Sequence, residues 1–235
     1  PQDDEAAVRW YRLAADRGHA NAQNSLGFMY YGGEGLPQDD EAAVRWYRLS
    51  ADQGLAAAQH NLGVMYNLGE GVPENDAEML KWFRLAADQG YGPSQYNLGF
   101  LYRNGEGVPQ DDPTAVRWYR LAADQGDASA QHNLGLSYDR GLGVPQDAAE
   151  AVRWYLLAAD QGHVEAQVGL AIMYGLGAGV PSNYVLAYAW SNIAVSQDES
   201  HRELKEYLEQ QMTPAQIAEG QQLSTEIFER IQGNQ

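Results

Sequence analysis

Tryptophan occurs six times in this chain, at Trp10, Trp46, Trp82, Trp118, Trp154 and Trp190. Each lies 36 residues from the next (46 − 10, 82 − 46 and onward). One unit is therefore copied along the sequence without insertion or deletion. A fixed period in this range identifies a solenoid, in which each unit buries its apolar face only against its neighbours.

Composition bounds the rest. With 235 residues, of which 44% are hydrophobic, the chain can bury a sizeable core and is not a disordered segment. No apolar run approaches the ~20 residues of a membrane helix, so no membrane insertion is expected. No secretory leader is visible, and Pro1 falls inside a repeat, so further sequence upstream is expected. The absence of cysteine removes disulfides, thiol nucleophiles and Cys-based zinc sites. A formal net charge of −17 repels phosphate backbones and argues against a nucleic-acid partner. The acids gather at helix starts (Asp3-Asp4-Glu5, Asp39-Asp40-Glu41, Asp111-Asp112), where a solvated outer face is the simplest reading.

Residues 37–72, PQDDEAAVRWYRLSADQGLAAAQHNLGVMYNLGEGV, show the unit. The first half predicts a helix from about Asp40 to Gln53, capped by Asp39 or Asp40, with Glu41 favourably placed in the first turn. Val44, Tyr47 and Ala51 form its apolar stripe, widened by Trp46 and Leu49. Gly54 ends it. A second helix follows from about Ala56 to Leu68, with Ala58, Leu62, Met65 and Tyr66 on its apolar side, and Gly69-Glu70-Gly71-Val72-Pro73 stops it. Strand signals are absent, which makes the chain all-α. Gly27, Gly63, Gly99 and Gly135 share one mid-helix column, with Ala171 in the fifth copy. An interior glycine costs roughly 1 kcal/mol relative to alanine. Its repetition predicts the close approach of a neighbouring helix or its Trp ring. The Tyr column (Tyr30, Tyr66, Tyr102, Tyr138, Tyr174) reads as core.

Read together, Ala43-x-x-Trp46-Tyr47-x-x-Ser50-Ala51-x-x-Gly54 and Ala58-Gln59-x-x-Leu62-Gly63-x-x-Tyr66-x-x-Gly69-x-Gly71-Val72-Pro73 resemble the Sel-one-like repeat family, a relative of the tetratricopeptide repeat. The resemblance runs nearly unbroken over residues 1–196. It implies an α-solenoid of antiparallel helix pairs with a concave groove. It also implies a protein-interaction adaptor, often in bacterial cell-envelope or secreted proteins, and so a lean towards the periplasm or export. The stretch Gln59-x-x-Leu62-Gly63-x-x-Tyr66 is similar to the groove-lining helix A of tetratricopeptide domains. On that phase the Trp helix is the outer helix B, residues 1–18 are an orphan helix B, and A helices fall near 20–32, 56–68, 92–104, 128–140 and 164–176. The expected organisation is an array over 1–180, then a degenerate sixth repeat and capping helices over 181–235.

Repeats within one chain can be compared with each other. Along helix A the variable columns are Asn24, His60, Tyr96, His132, Val168; Phe28, Val64, Phe100, Leu136, Ile172; and Tyr31, Asn67, Arg103, Asp139, Gly175. Beside them runs the polar column Ser25, Asn61, Asn97, Asn133, Gly169. Through the resemblance these positions face the groove. An Asn side chain both donates to and accepts from a peptide backbone. The expected binding set is therefore Asn61, Asn97 and Asn133 for a ligand's backbone, with His60, Tyr96, His132, Phe100 and Arg103 selecting its side chains. The partner is a peptide or protein. The alternative is a cell-envelope protein with a peptidoglycan-related binding or hydrolytic role.

No catalytic constellation, cofactor motif or metal site stands out. None of the five histidines forms an i, i+4 pair with another. His19 and His163 sit at the turn before an A helix. Glycine-rich segments such as Gly175-Leu176-Gly177-Ala178-Gly179 follow helices and recur as connectors, unlike phosphate loops. After Pro181 the pattern decays: Ser191 stands where the aromatic after Trp belongs. Residues 199–211 predict a polar helix with a Leu204, Tyr207, Leu208 stripe. Thr213-Pro214-Ala215-Gln216 predicts the capped start of a last helix running to about Ile231, with Ile217, Leu223, Ile227 and Phe228 available to pack.

Overall fold

The computed structural model describes residues 2–233, and for residues 2–5 the backbone alone. The acid cluster expected to open the first helix (Asp3, Asp4, Glu5) thus lies outside the described side chains. Among the described residues the chain is all helix. The B helices are α1 (Gln2–Ala15), α3 (Asp40–Ala51), α5 (Asp76–Asp88), α7 (Asp112–Ala123), α9 (Ala148–Ala159) and α11 (Tyr184–Gln197). Between them lie the A helices α2 (Ala20–Gly32), α4 (Ala56–Leu68), α6 (Gly92–Asn104), α8 (Ala128–Arg140) and α10 (Val164–Leu176). A 3-10 turn (Glu199–His201), α12 (Arg202–Gln210) and α13 (Pro214–Gly233) close the chain. The chain forms two compact units, one ending at Gln110 and one beginning at Asp111. In the first, α1 to α6 pack successively; in the second, α7 to α11 do so and α12 and α13 rest on α11. The architecture is an α-solenoid of helix pairs.

The local chemistry accounts for the helix ends. The Asp39 carboxylate accepts from the Ala42 N–H at 2.8 Å, and Asn75, Asp111, Asp147 and Asn183 cap α5, α7, α9 and α11 in the same way. Each A helix stops at a glycine in the left-handed conformation, Gly69 with φ 70° for α4 and Gly105 with φ 74° for α6. The capping box of α13 forms in both directions: the Thr213 N–H donates to Gln216 Oε1 at 2.9 Å, and the Gln216 N–H to Thr213 Oγ1 at 3.3 Å.

Packing follows the expected stripe with two corrections. Ala43, Val44, Tyr47, Ser50 and Ala51 are buried on α3, but Leu49 is exposed and Trp46 only half-buried. Leu49 falls on the solvent side of a stripe already filled by small residues, and Leu13, Leu85, Leu121 and Leu157 in its column are exposed too. The ring that crowds the mid-helix glycine is not the tryptophan but the residue after it. A Cβ on Gly27 would lie 2.7 Å from Tyr47 Cδ1, one on Gly63 2.7 Å from Phe83, and one on Gly135 2.7 Å from Tyr155.

A glutamine ladder ties the turns together. Gln59 is buried; its Nε2 donates to the Ala51 carbonyl at 3.3 Å, and its Oε1 accepts from Gln89 Nε2 at 2.7 Å. The side-chain bond recurs as Gln53 to Gln23 (2.7 Å), Gln161 to Gln131 (2.8 Å) and Gln197 to Gln167 (3.0 Å). Each bond spans from the end of one B helix to the A helix before it, so the buried amides find partners in a neighbouring glutamine and in a helix-end carbonyl.

In the second unit, Leu208 is buried against the array while Tyr207 is exposed, so the predicted α12 stripe is narrower than expected. On α13, Ile227 and Ile231 are buried, Ile217 and Leu223 are half-buried and Phe228 is exposed.

Candidate functional site

The expected binding residues sit on α4, α6 and α8. In the first unit, Tyr96, Asn97 and Phe100 come together, on successive turns of α6. With Val64, Asn67, Phe83, Leu101 and Glu106 they line a pocket of about 370 Å3. Phe83 is buried at its base, and Phe100 is 40% exposed at its wall. Asn61 is committed to its neighbour: its Nδ2 donates to Asn24 Oδ1 of the preceding A helix at 3.0 Å. Arg103 is half-buried one turn beyond Phe100 and does not line the pocket.

His60 is half-buried and packed into the array. Its Nδ1 lies 2.9 Å from Ser94 Oγ, and its ring lies 5.5 Å from Phe83 and 5.3 Å from Tyr91. Burial pulls its pKa down to about 4. In the second unit His132 keeps the same relationship. It stacks on His163 with centroids 4.7 Å apart and tilts towards Tyr155 at 5.7 Å. Both partners, Tyr91 and His163, stand at the N-cap of an A helix. His163 also accepts from the Ala166 N–H at 3.4 Å, and burial lowers its pKa, opposed by the Glu165 and Asp127 carboxylates. His19, in the same column, makes no side-chain cap bond. Asn133 is half-buried on α8 beside His132. Varying columns are thus not all free surface: the two histidines pack between helices, whereas Tyr96, Asn97 and Phe100 open onto a pocket.

The arginines of the opposite helix face are engaged. Arg12, Arg48, Arg84 and Arg120 each donate to the hydroxyl of the Tyr eighteen residues on (30 − 12 and so on): Tyr30, Tyr66, Tyr102 and Tyr138. Three of these guanidinium groups also lie over the ring they bond, 5.6 Å from its centre for Arg48 on Tyr66. In the fifth copy Leu156 replaces the arginine, and burial raises the pKa of Tyr174.

Sequence reasoning passed over Phe83 and Glu106 as pocket residues. Phe83 belongs to the aromatic column expected in the core, and Glu106 to a turn expected to be a connector. The available signal was that the turn's central residue varies, from Glu34, Glu70 and Glu106 to Leu142 and Ala178. Among the described residues no group of three His, Cys, Asp or Glu side chains is placed to hold a metal ion. No helix among them is long and apolar enough to cross a membrane.

The repeat geometry has a known counterpart. The family model of the Sel1 repeat matches residues 1–19, 20–55, 56–91, 92–127, 128–163 and 164–199, each full span beginning at an A helix. The chain belongs to the Sel1 repeat family. It is similar to the Sel1 repeat protein from Oxalobacter formigenes, with 31% identity and a TM-score of 0.81, over 95% of this chain and 92% of that one. It is also similar to c5321, a protective antigen present in uropathogenic Escherichia coli strains that displays an SLR fold. There the identity is 31% and the TM-score 0.64, over 97% of this chain and 57% of that one. A putative Sel1 repeat protein from Klebsiella pneumoniae shares the fold at 20% identity and a TM-score of 0.53, over 86% of this chain and 99% of that one. No curated protein is significantly similar to it. Sel1 repeats are a non-catalytic fold, typically of protein-interaction scaffolds.

Proposed function

We propose that this chain is a non-enzymatic scaffold that holds a peptide or protein segment against its A helices. Residues 1–180 form the binding array and residues 181–235 close its C-terminal end. The observation that carries the reading is the pocket where Tyr96, Asn97 and Phe100 converge. It pairs partly exposed aromatic rings with side-chain amides, the chemistry by which extended segments are anchored and registered. In the first unit Asn97 presents an amide to a ligand backbone, and in the second unit Asn133 carries the same amide on α8. Tyr96, Phe100 and Arg103 discriminate its side chains, and His60, His132 and Asn61 set the spacing of the helices that present them.

The opposite face is the weaker candidate, because Arg48, Arg84 and Arg120 are already spent on tyrosine hydroxyls of the A helix that follows each of them. The test is affinity capture with the intact chain, followed by titration of the captured partner against the parent and the Asn97→Ala/Asn133→Ala double variant. The double variant folds normally and binds at least ten-fold more weakly. Equal affinity would overturn the assignment.

A further inference from the structure

We infer that the pocket between α4, α5 and α6 takes a basic side chain, arginine or lysine, of the bound segment, with Glu106 as its counter-charge. This inference rests on the A-helix face being the binding face and names the chemistry it selects. The pocket combines three features. Tyr96 and Phe100 line it with aromatic rings beside the apolar Phe83, Val64 and Leu101, which suits a long aliphatic stem and a cation against a π face. Asn67 and Asn97 add amides at the same pocket, whose side-chain oxygens accept hydrogen bonds. Glu106 adds the one formal charge in the lining.

The position of Glu106 is set before any ligand arrives. Its backbone N–H donates to the Leu101 carbonyl at 3.1 Å, alongside the Gly105 N–H at 2.9 Å, so the turn is pinned to the end of α6. Asn104 Nδ2 donates to its Oε1 at 2.9 Å. Asp76 lies against the same turn, where a Cβ on Gly107 would meet its side chain at 3.0 Å. Asp76 thus stands beside the turn that carries Glu106, outside the pocket lining.

Competing occupants fit worse. An acidic side chain would meet Glu106 and the field of a chain with net charge −17. A purely apolar side chain would strip water from Glu106, Asn67 and Asn97 without replacing its hydrogen bonds. A basic side chain satisfies the carboxylate and the amides with its head and covers the aromatic rings with its stem.

The test is an NMR titration of the 15N-labelled intact chain with N-acetyl-arginine amide, N-acetyl-lysine amide and N-acetyl-norleucine amide. The basic amides shift the signals of Asn67, Asn97, Phe100 and Glu106, and norleucine amide binds at least five-fold more weakly. Glu106→Gln removes that five-fold preference while leaving the spectrum elsewhere unchanged. Phe100→Ala weakens all three probes. Equal binding of norleucine amide, or a preference that survives Glu106→Gln, overturns the charge selection but leaves the pocket as a side-chain site. Silence of the pocket signals towards every probe overturns the inference and counts against the A-helix face as well.

Discussion

The ring of Tyr47 fills the space in which a side chain on Gly27 would begin: a Cβ there would lie 2.7 Å from Tyr47 Cδ1. The same ring-over-glycine contact recurs as Phe83 on Gly63 and Tyr155 on Gly135. The chain contains its own control. Where the glycine becomes Ala171, the aromatic becomes Ser191. The device then returns with other partners, as Tyr188 against Gly220 of α13. Gly63→Ala should therefore destabilise despite alanine's helix preference of about 1 kcal/mol, because overpacking costs about 1–3 kcal/mol. Urea unfolding should show a net loss of up to about 2 kcal/mol, and adding Phe83→Ser, the natural pairing, should remove the clash but open a cavity. A stabilised Gly63→Ala would contradict the contact.

The tryptophans share a period but not an environment. Trp82 is 5% exposed, and its Nε1 donates to Glu78 at 2.9 Å, whereas Trp10 is 72% exposed. Trp82→Ala should cost about 3–5 kcal/mol and Trp10→Ala less than about 1 kcal/mol. Equal costs in chemical denaturation would show that the array does not distribute burial in this way.

The glutamine ladder predicts an asymmetry. Gln59→Ala removes a buried amide and both of its bonds, although the Ala51 carbonyl keeps the Gly54 N–H and the Gln89 amide keeps the Leu85 carbonyl, and should cost about 1–2 kcal/mol. Gln89→Ala removes only the donor to Gln59 Oε1 from an exposed position that water can refill, and should cost less, about 0.5–1 kcal/mol. Thermal denaturation of the two variants distinguishes them.

His60 gives stability a pH dependence of known sign. Burial holds its pKa near 4 in the folded chain, against 6.5 when exposed. Between those values the unfolded chain binds a proton that the folded chain refuses, so stability is full above about 6.5 and falls as pH drops towards 4. The loss amounts to about 2 kcal/mol, since each pKa unit is about 1.4 kcal/mol and partial exposure screens some of it. His60→Gln should flatten this part of the profile, measured as urea midpoints between pH 7 and 5. An unchanged slope would mean that His60 is solvated.

The fold was legible because it is written as a period. The A helices begin and end where the glycine and alanine columns predicted, and of the two expected caps, Asp39 and Asp40, it is Asp39 that caps α3. Side-chain roles were less legible. Leu49 is as apolar as Leu62, and only the width of the buried stripe, set by neighbouring alanines, decides that it faces water. His60 and His132 varied like surface residues because their packing partners vary with them: Ser94 occurs where the other copies carry alanine, and Tyr91 and His163 where they carry Leu55 or Asp127. The pocket needed three helices and a turn to meet, and no spacing within one repeat records that.

Which face carries the partner is the central question, and hydrogen exchange answers it directly. With the captured partner bound to the intact chain, backbone protection should rise over the A helices, residues 56–68 and 92–104, and be lost with Tyr96→Ala and Asn97→Ala. Protection confined to the B helices, residues 40–51 and 76–88, where Arg48 and Arg84 lie, would contradict the account.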